Sequence, residues 1–108
     1  MPRPAVDPLR AAATKDLRQE AGRWLKACRE SRGLTQADLA GLVELRYYTF
    51  VSQVEGGLGR VPVESQEAWA RALGLDPTEF ARTLLRYYDP ELYRLLFGTS
   101  ASGAPQPS

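Results

Sequence analysis

Tyr48, Thr49, Ser52 and Gln53 fall within the short run "YYTFVSQVE" at residues 47–55. All four side chains donate or accept hydrogen bonds, and none is charged near neutral pH. Groups of this kind suit recognition of another molecule's polar edges better than bond making. The rest of the chain supports that view. It contains no histidine, which removes the commonest general base and the commonest metal ligand. Its single cysteine, Cys28, excludes an internal disulfide and makes a cysteine metal site unexpected. No nucleophile stands in a pattern with a base. The expectation is a non-enzyme with no catalytic residue, no metal and no cofactor.

The elements that must position this run follow from hydrophobic spacing. Written as a helix, 47–55 places Tyr47, Phe50, Val51 and Val54 on one side and Tyr48, Thr49, Ser52 and Gln53 on the other. Upstream, Leu17, Ala21, Trp24, Leu25 and Cys28 recur at helical intervals. That first helix starts at either Asp7-Pro8 or Thr14 and ends at Arg32-Gly33. Thr35 suits an N-cap, with Asp38 three residues on in an approximate capping box. The helix "TQADLAGLV" then offers Leu39, Leu42 and Val43 to a core. Pro62 opens a helix over roughly 63–73 with Trp69, Ala70 and Leu73 inward, and Gly74 stops it. Asp76-Pro77-Thr78-Glu79 starts another, which runs through Phe80, Leu84 and Leu85 to about Tyr88. Asp89-Pro90-Glu91 begins a short sixth helix that ends at Gly98. No strand or internal repeat is evident. The fold class expected is all-α, with five or six helices around one core.

Length and charge narrow the class further. The chain has 108 residues, enough for one modest core, and no apolar run approaches the ~20 residues of a membrane span. The N-terminus lacks the continuous apolar stretch of a signal peptide, so a cytoplasmic, nucleoid-associated location is expected. Abundant Arg, Ala and Leu with little Lys fit a GC-rich bacterial or phage genome. Net charge is +1, but residues 1–60 carry ten Lys/Arg against seven Asp/Glu, and residues 61–108 carry four against six. A polyanion would meet the first part.

Two short helices joined by a brief turn, 35–43 and 47–55, fit a helix-turn-helix, whose second helix enters the major groove of DNA. The motifs then become specific. "LKACRESRGLTQADLA", "VSQVEGG" and "VPVESQEAWARALGLDP" together resemble the Cro/repressor-type (XRE-like) helix-turn-helix family. The matching features are Arg29, Gly33 to Ala40, Glu55, Gly56 and Pro62, over about residues 22–80. The family's turn glycine is replaced by Glu44, and the turn holds one residue more than usual. The resemblance implies a five-helix, lambda-repressor-like domain that binds double-stranded DNA as a transcriptional regulator. It implies base reading by Tyr48, Thr49, Ser52 and Gln53, with Gln53 suited to adenine and the Thr49 methyl to thymine. It implies phosphate contacts from Thr35, Gln36 and Arg60, with Arg46 a further candidate, and a structural pair between Arg29 and Glu55.

Plainer roles stand beside these. Tyr47 and Phe50 are expected in the core, and Tyr48 fits either the groove or packing into the turn. Arg46 fits a phosphate contact or a solvated surface, and Arg18, Arg23 and Lys26 fit a solvated face. Trp24, Trp69 and Cys28 fit the interior. Leu92, Tyr93, Leu96 and Phe97 line one stripe of the sixth helix and are candidate dimer contacts. The domain map expected is a flexible segment at 1–13, the helix-turn-helix domain at 14–88, a C-terminal helix at 89–98 and a disordered tail at 99–108. The remaining length leaves no room for a separate ligand-sensing domain, so control by abundance or by a protein partner is expected. The competing class is a protein-interaction module on the same fold, docking on RNA polymerase or acting as an antitoxin. The low net charge and the aromatic "RYYTF" favour it.

Overall fold

The computed structural model describes residues 8–98, and within them the chain forms six α-helices and no strand. They are α1 (Pro8–Ser31), α2 (Gln36–Leu42), α3 (Thr49–Glu55), α4 (Gln66–Ala72), α5 (Pro77–Tyr88) and α6 (Pro90–Phe97), with a 3-10 turn at Val63–Ser65 leading into α4. Of the two starts open for the first helix, the proline start holds. The segment expected to be flexible up to residue 13 is therefore helical from Pro8. Residues 1–7 and the tail expected to be disordered, 99–108, lie outside the described residues.

The core runs through all of the first five helices. Leu25 of α1, Leu39 of α2, Val51 and Val54 of α3, Trp69 of α4, and Phe80 and Leu84 of α5 are completely or almost completely buried. Trp24 is only half-buried. It lies on the rim of this core with its ring 5.6 Å from Phe80 and 6.4 Å from Tyr87. Phe50 sets its ring edge-on to Trp69 at 6.5 Å, a favoured aromatic geometry. Cys28 is half-buried, and burial pushes its thiol pKa up, away from the reactive thiolate.

Local chemistry fixes the helix ends. Thr35 caps α2 with a complete capping box: the Asp38 amide donates to the Thr35 hydroxyl at 2.9 Å, and the Thr35 amide donates back to the Asp38 carboxylate at 2.9 Å. The Thr35 amide foremost, and then the Thr35 hydroxyl, hold the Asp38 carboxyl below its ordinary pKa. Asp76 caps α5 by accepting from the Glu79 amide. The Glu79 carboxylate turns to Arg82 instead of back to the Asp76 amide.

The turn between α2 and α3 explains the missing glycine. α2 ends with the Glu44 amide donating to the Gly41 carbonyl and the Leu45 amide donating to the Ala40 carbonyl. That is the Schellman pattern, which needs a left-handed residue. Gly33 fills that position after α1 with φ +71. After α2 it is filled by Glu44, with φ +59, alone among the described non-glycine residues. A side chain in this region is strained by roughly 1 kcal/mol or more. We expect Glu44→Gly to raise stability by up to about 1 kcal/mol, after allowing for the extra entropy of unfolded glycine. Thermal melting checks this, and a lowered melting temperature would contradict it.

Candidate nucleic-acid interface

α3 is seven residues long, too short to hold itself in water, so its face is set by what it packs on. Val51 and Val54 are fully buried, and Glu55 is buried beside them. Thr49, Ser52 and Gln53 therefore point outward and are exposed, as the spacing requires. Two expectations fail at the start of this helix. It begins at Thr49, not at residue 47, and Tyr47 is 66% exposed instead of buried. The longer turn is the reason: Tyr47 and Tyr48 complete it in place of a first helical turn, and the half-buried Leu45 packs on the core. Leu42, expected inside, is also exposed, at the last position of α2.

Tyr48 occupies the N-cap position of α3, over half exposed, and makes no capping bond with its side chain. It borders an open recess together with Arg29, Thr35 and Gln36 at the start of α2. The fold thus brings Thr35, Gln36 and Tyr48 to one place, next to the outward face of α3. Arg46 is exposed in the turn nearby.

Beneath the recess lies a buried ion pair. Arg29 Nε donates to Glu55 Oε2 at 2.7 Å, and Arg29 Nη2 donates to Glu55 Oε1 at 3.0 Å. The side chains are 8% and 4% exposed. Arg29 Nη1 donates to the Leu34 carbonyl at 2.7 Å, so every guanidinium nitrogen is used. The hydrogen bond to Glu55 outweighs burial and raises the Arg29 pKa, which keeps the group charged. Gln36, expected to face a phosphate, turns its amide onto Glu55 Oε1 at 3.0 Å. It joins the α1–α3 link as a third member.

Arg60 departs from expectation. Its Nη2 donates to Asp89 Oδ2 at 2.7 Å, and its guanidinium lies 4.7 Å over the Tyr88 ring. It is bound to the α5–α6 junction in the free protein. Tyr88 closes the same junction: its hydroxyl accepts from the Val61 amide at 3.3 Å, and burial raises its pKa. Gly22 had no signal in the spacing beyond a glycine inside a helix. A Cβ there would fall on the Glu55 carbonyl group, so only glycine permits α1 to approach α3 this closely.

An all-α domain with a capped α2, a connecting turn over residues 43–48 and an outward polar face on α3 is a helix-turn-helix domain. Residues 20–83 match the family described as the helix-turn-helix domain, and the chain belongs to that family, one of Cro-type, XRE-like domains. Among curated proteins none matches. Domains of this family are typically DNA-binding and non-enzymatic. Among the described residues no helix is long and apolar enough to cross a membrane.

Breaking the buried pair from one side strands a charge. Glu55→Ala should cost about 3–5 kcal/mol of folding stability. Removing both partners with apolar residues, Arg29→Met with Glu55→Leu, should cost much less. Denaturant unfolding of the three proteins checks this. A single variant as stable as wild type would mean that the pair holds nothing.

Proposed function

We propose that the protein binds double-stranded DNA in a sequence-specific way and regulates transcription, with α3 in the major groove. The observation that carries this reading is the face of α3: Thr49, Ser52 and Gln53 are exposed while Val51 and Val54 lock the opposite side. Tyr48 stands at the leading end of that face. Gln53 would pair with adenine and the Thr49 methyl would meet thymine. Thr35 and Arg46 flank the face and would hold phosphates. Gln36 keeps one amide hydrogen for the same purpose while it bonds Glu55. Arg60 would have to exchange Asp89 for a phosphate, so its contribution is smaller than its position alone suggests.

The functional unit on this reading is a two-fold dimer. Leu92, Leu95 and Leu96 of α6 are 46%, 69% and 61% exposed, an apolar surface on a short helix that packs back on α5. Tyr93 and Phe97 face each other on α6 with rings 5.0 Å apart. A second copy would cover the leucines and set two α3 helices roughly 34–36 Å apart, in successive major grooves. The competing reading, a protein-docking module, draws support from exposed Tyr47 and Leu42 beside the same face.

We expect Gln53→Ala to weaken binding to the specific site by about 1–3 kcal/mol and to relax discrimination at one base pair. Binding-site selection with wild type and variant measures both, at several salt concentrations. Affinity for DNA that does not fall with salt would favour protein docking instead.

The double change Leu92→Glu with Leu96→Glu should yield a folded monomer with much weaker specific binding. Light scattering with and without DNA reads this. A wild-type protein that stays monomeric at high concentration in both states would rule out the dimer.

A further inference from the structure

Arg60 pairs unlike Arg29, Arg71, Arg82 and Arg94. The last three pair with carboxylates three or four residues away on their own helices. Arg29 is buried with Glu55. Arg60 instead reaches 29 residues along the chain, to Asp89 Oδ2 at 2.7 Å. Both of these side chains stay more than one-third exposed, at 37% and 39%. The pair borders an open cavity of about 520 Å³ between the approach to α4, α5 and α6.

The backbone on either side of Arg60 is fixed, so only its side chain can change partners. The Val61 amide donates to the Tyr88 hydroxyl at 3.3 Å, and the Val61 side chain is fully buried. On the other side, the Leu58 amide donates to the Gln53 carbonyl at 2.9 Å. A Cβ at Gly59 would touch the side chains of Val54 and Gln53, at 3.8 and 4.0 Å. Arg60 therefore leaves the backbone next to Gln53 and the outward face of α3, yet its guanidinium is held by Asp89 and the Tyr88 ring. Asp89 gives up a local role in return. It stands at the N-cap position of α6 and makes no capping bond with its side chain. A carboxylate there suits the unpaired amides and positive end of a helix start. Without Arg60, Asp89 still has that use.

We propose that Asp89 is an autoinhibitory latch on Arg60. In the free protein it withholds the guanidinium from phosphate. On DNA, a phosphate beside α3 takes the guanidinium, and Asp89 turns to cap α6. The inference rests on the DNA-binding reading and adds a control to it: the Arg60 contact forms only when an internal ion pair breaks. The latch lowers affinity for DNA of any sequence, because a phosphate contact reads no bases. It also makes binding less dependent on salt, since a counterion released from the phosphate is partly matched by one taken up at Asp89.

Fluorescence anisotropy of the full chain on a mixed-sequence DNA duplex, at several salt concentrations, tests this with Asp89→Asn. Asparagine keeps the capping group and removes the charge. Affinity should rise roughly two- to fivefold, the range for a partly exposed ion pair. The salt slope should steepen by up to about one unit. The same change made on Arg60→Ala should move affinity less than twofold and leave the slope as it is. That comparison separates the latch from the simple loss of a negative charge near DNA. Asp89→Ser, also a capping residue without charge, takes its place should circular dichroism show the asparagine variant unfolded. Affinity that is unchanged or lower with Asp89→Asn, or that rises equally on the Arg60→Ala background, would overturn the latch and leave the DNA-binding reading standing. Wild-type protein without salt-dependent binding to DNA would sink that reading and the latch with it.

Discussion

The bidentate contact between Arg29 and Glu55 is the constraint around which the recognition unit is built. It closes the C-terminal end of α1 onto the C-terminal end of α3. Taking both charges out of water is expensive, and only complete hydrogen bonding offsets the loss. The fold provides it through the Leu34 carbonyl on one side and the Gln36 amide on the other. Both acceptors and donors come from the segment that starts α2. One ion pair therefore fixes three elements at once. Arg29 also sits in the last turn of α1, where a cation meets the negative end of the helix. Glu55 sits at the same end of α3, where a carboxylate alone would be unfavourable, so its partner is needed. Gly22 lets the two backbones come close enough for the pair to form.

With that end anchored, the other end of α3 is free to accept an unusual turn. The Schellman closure of α2 forces a left-handed residue at position 44, and the chain accepts a glutamate there. The strain is tolerated because the flanking core contacts are strong: Leu39, Ala40 and Val51 are buried on either side. The additional turn residue moves Tyr47 and Tyr48 out of the helix and onto the surface. An aromatic pair thus flanks the polar face instead of supporting it from below.

The C-terminal third is held by different physics. Tyr88 and Arg60 tie the α5–α6 junction to the loop after α3 through one hydrogen bond, one partly exposed ion pair and a cation–π contact. Of these, the Arg60–Asp89 ion pair is much more exposed than Arg29–Glu55. α6 leans on α5 with no buried residue of its own, leaving leucines on one side and a walled cavity on the other. Such a helix sits at the less stable end of a domain, where partner and ligand binding are commonly placed.

The sequence by itself determined the helices, the caps and the outward polar face of α3. Thr35, Gly33, Asp76 and Pro77 act through neighbours within four residues, and local chemistry of that range is legible in a string of letters. The Arg29–Glu55 pair was legible too, because the family pattern carries it across 26 residues. Only the tertiary structure decided the rest. Gly22 looked like an ordinary helical glycine, because the Glu55 carbonyl that excludes a side chain comes from another helix. Arg60 looked free for phosphate, because Asp89 lies 29 residues away and meets it only at the α5–α6 junction. Tyr47 looked buried, because period-3.6 spacing assumes a helix that the turn has already consumed.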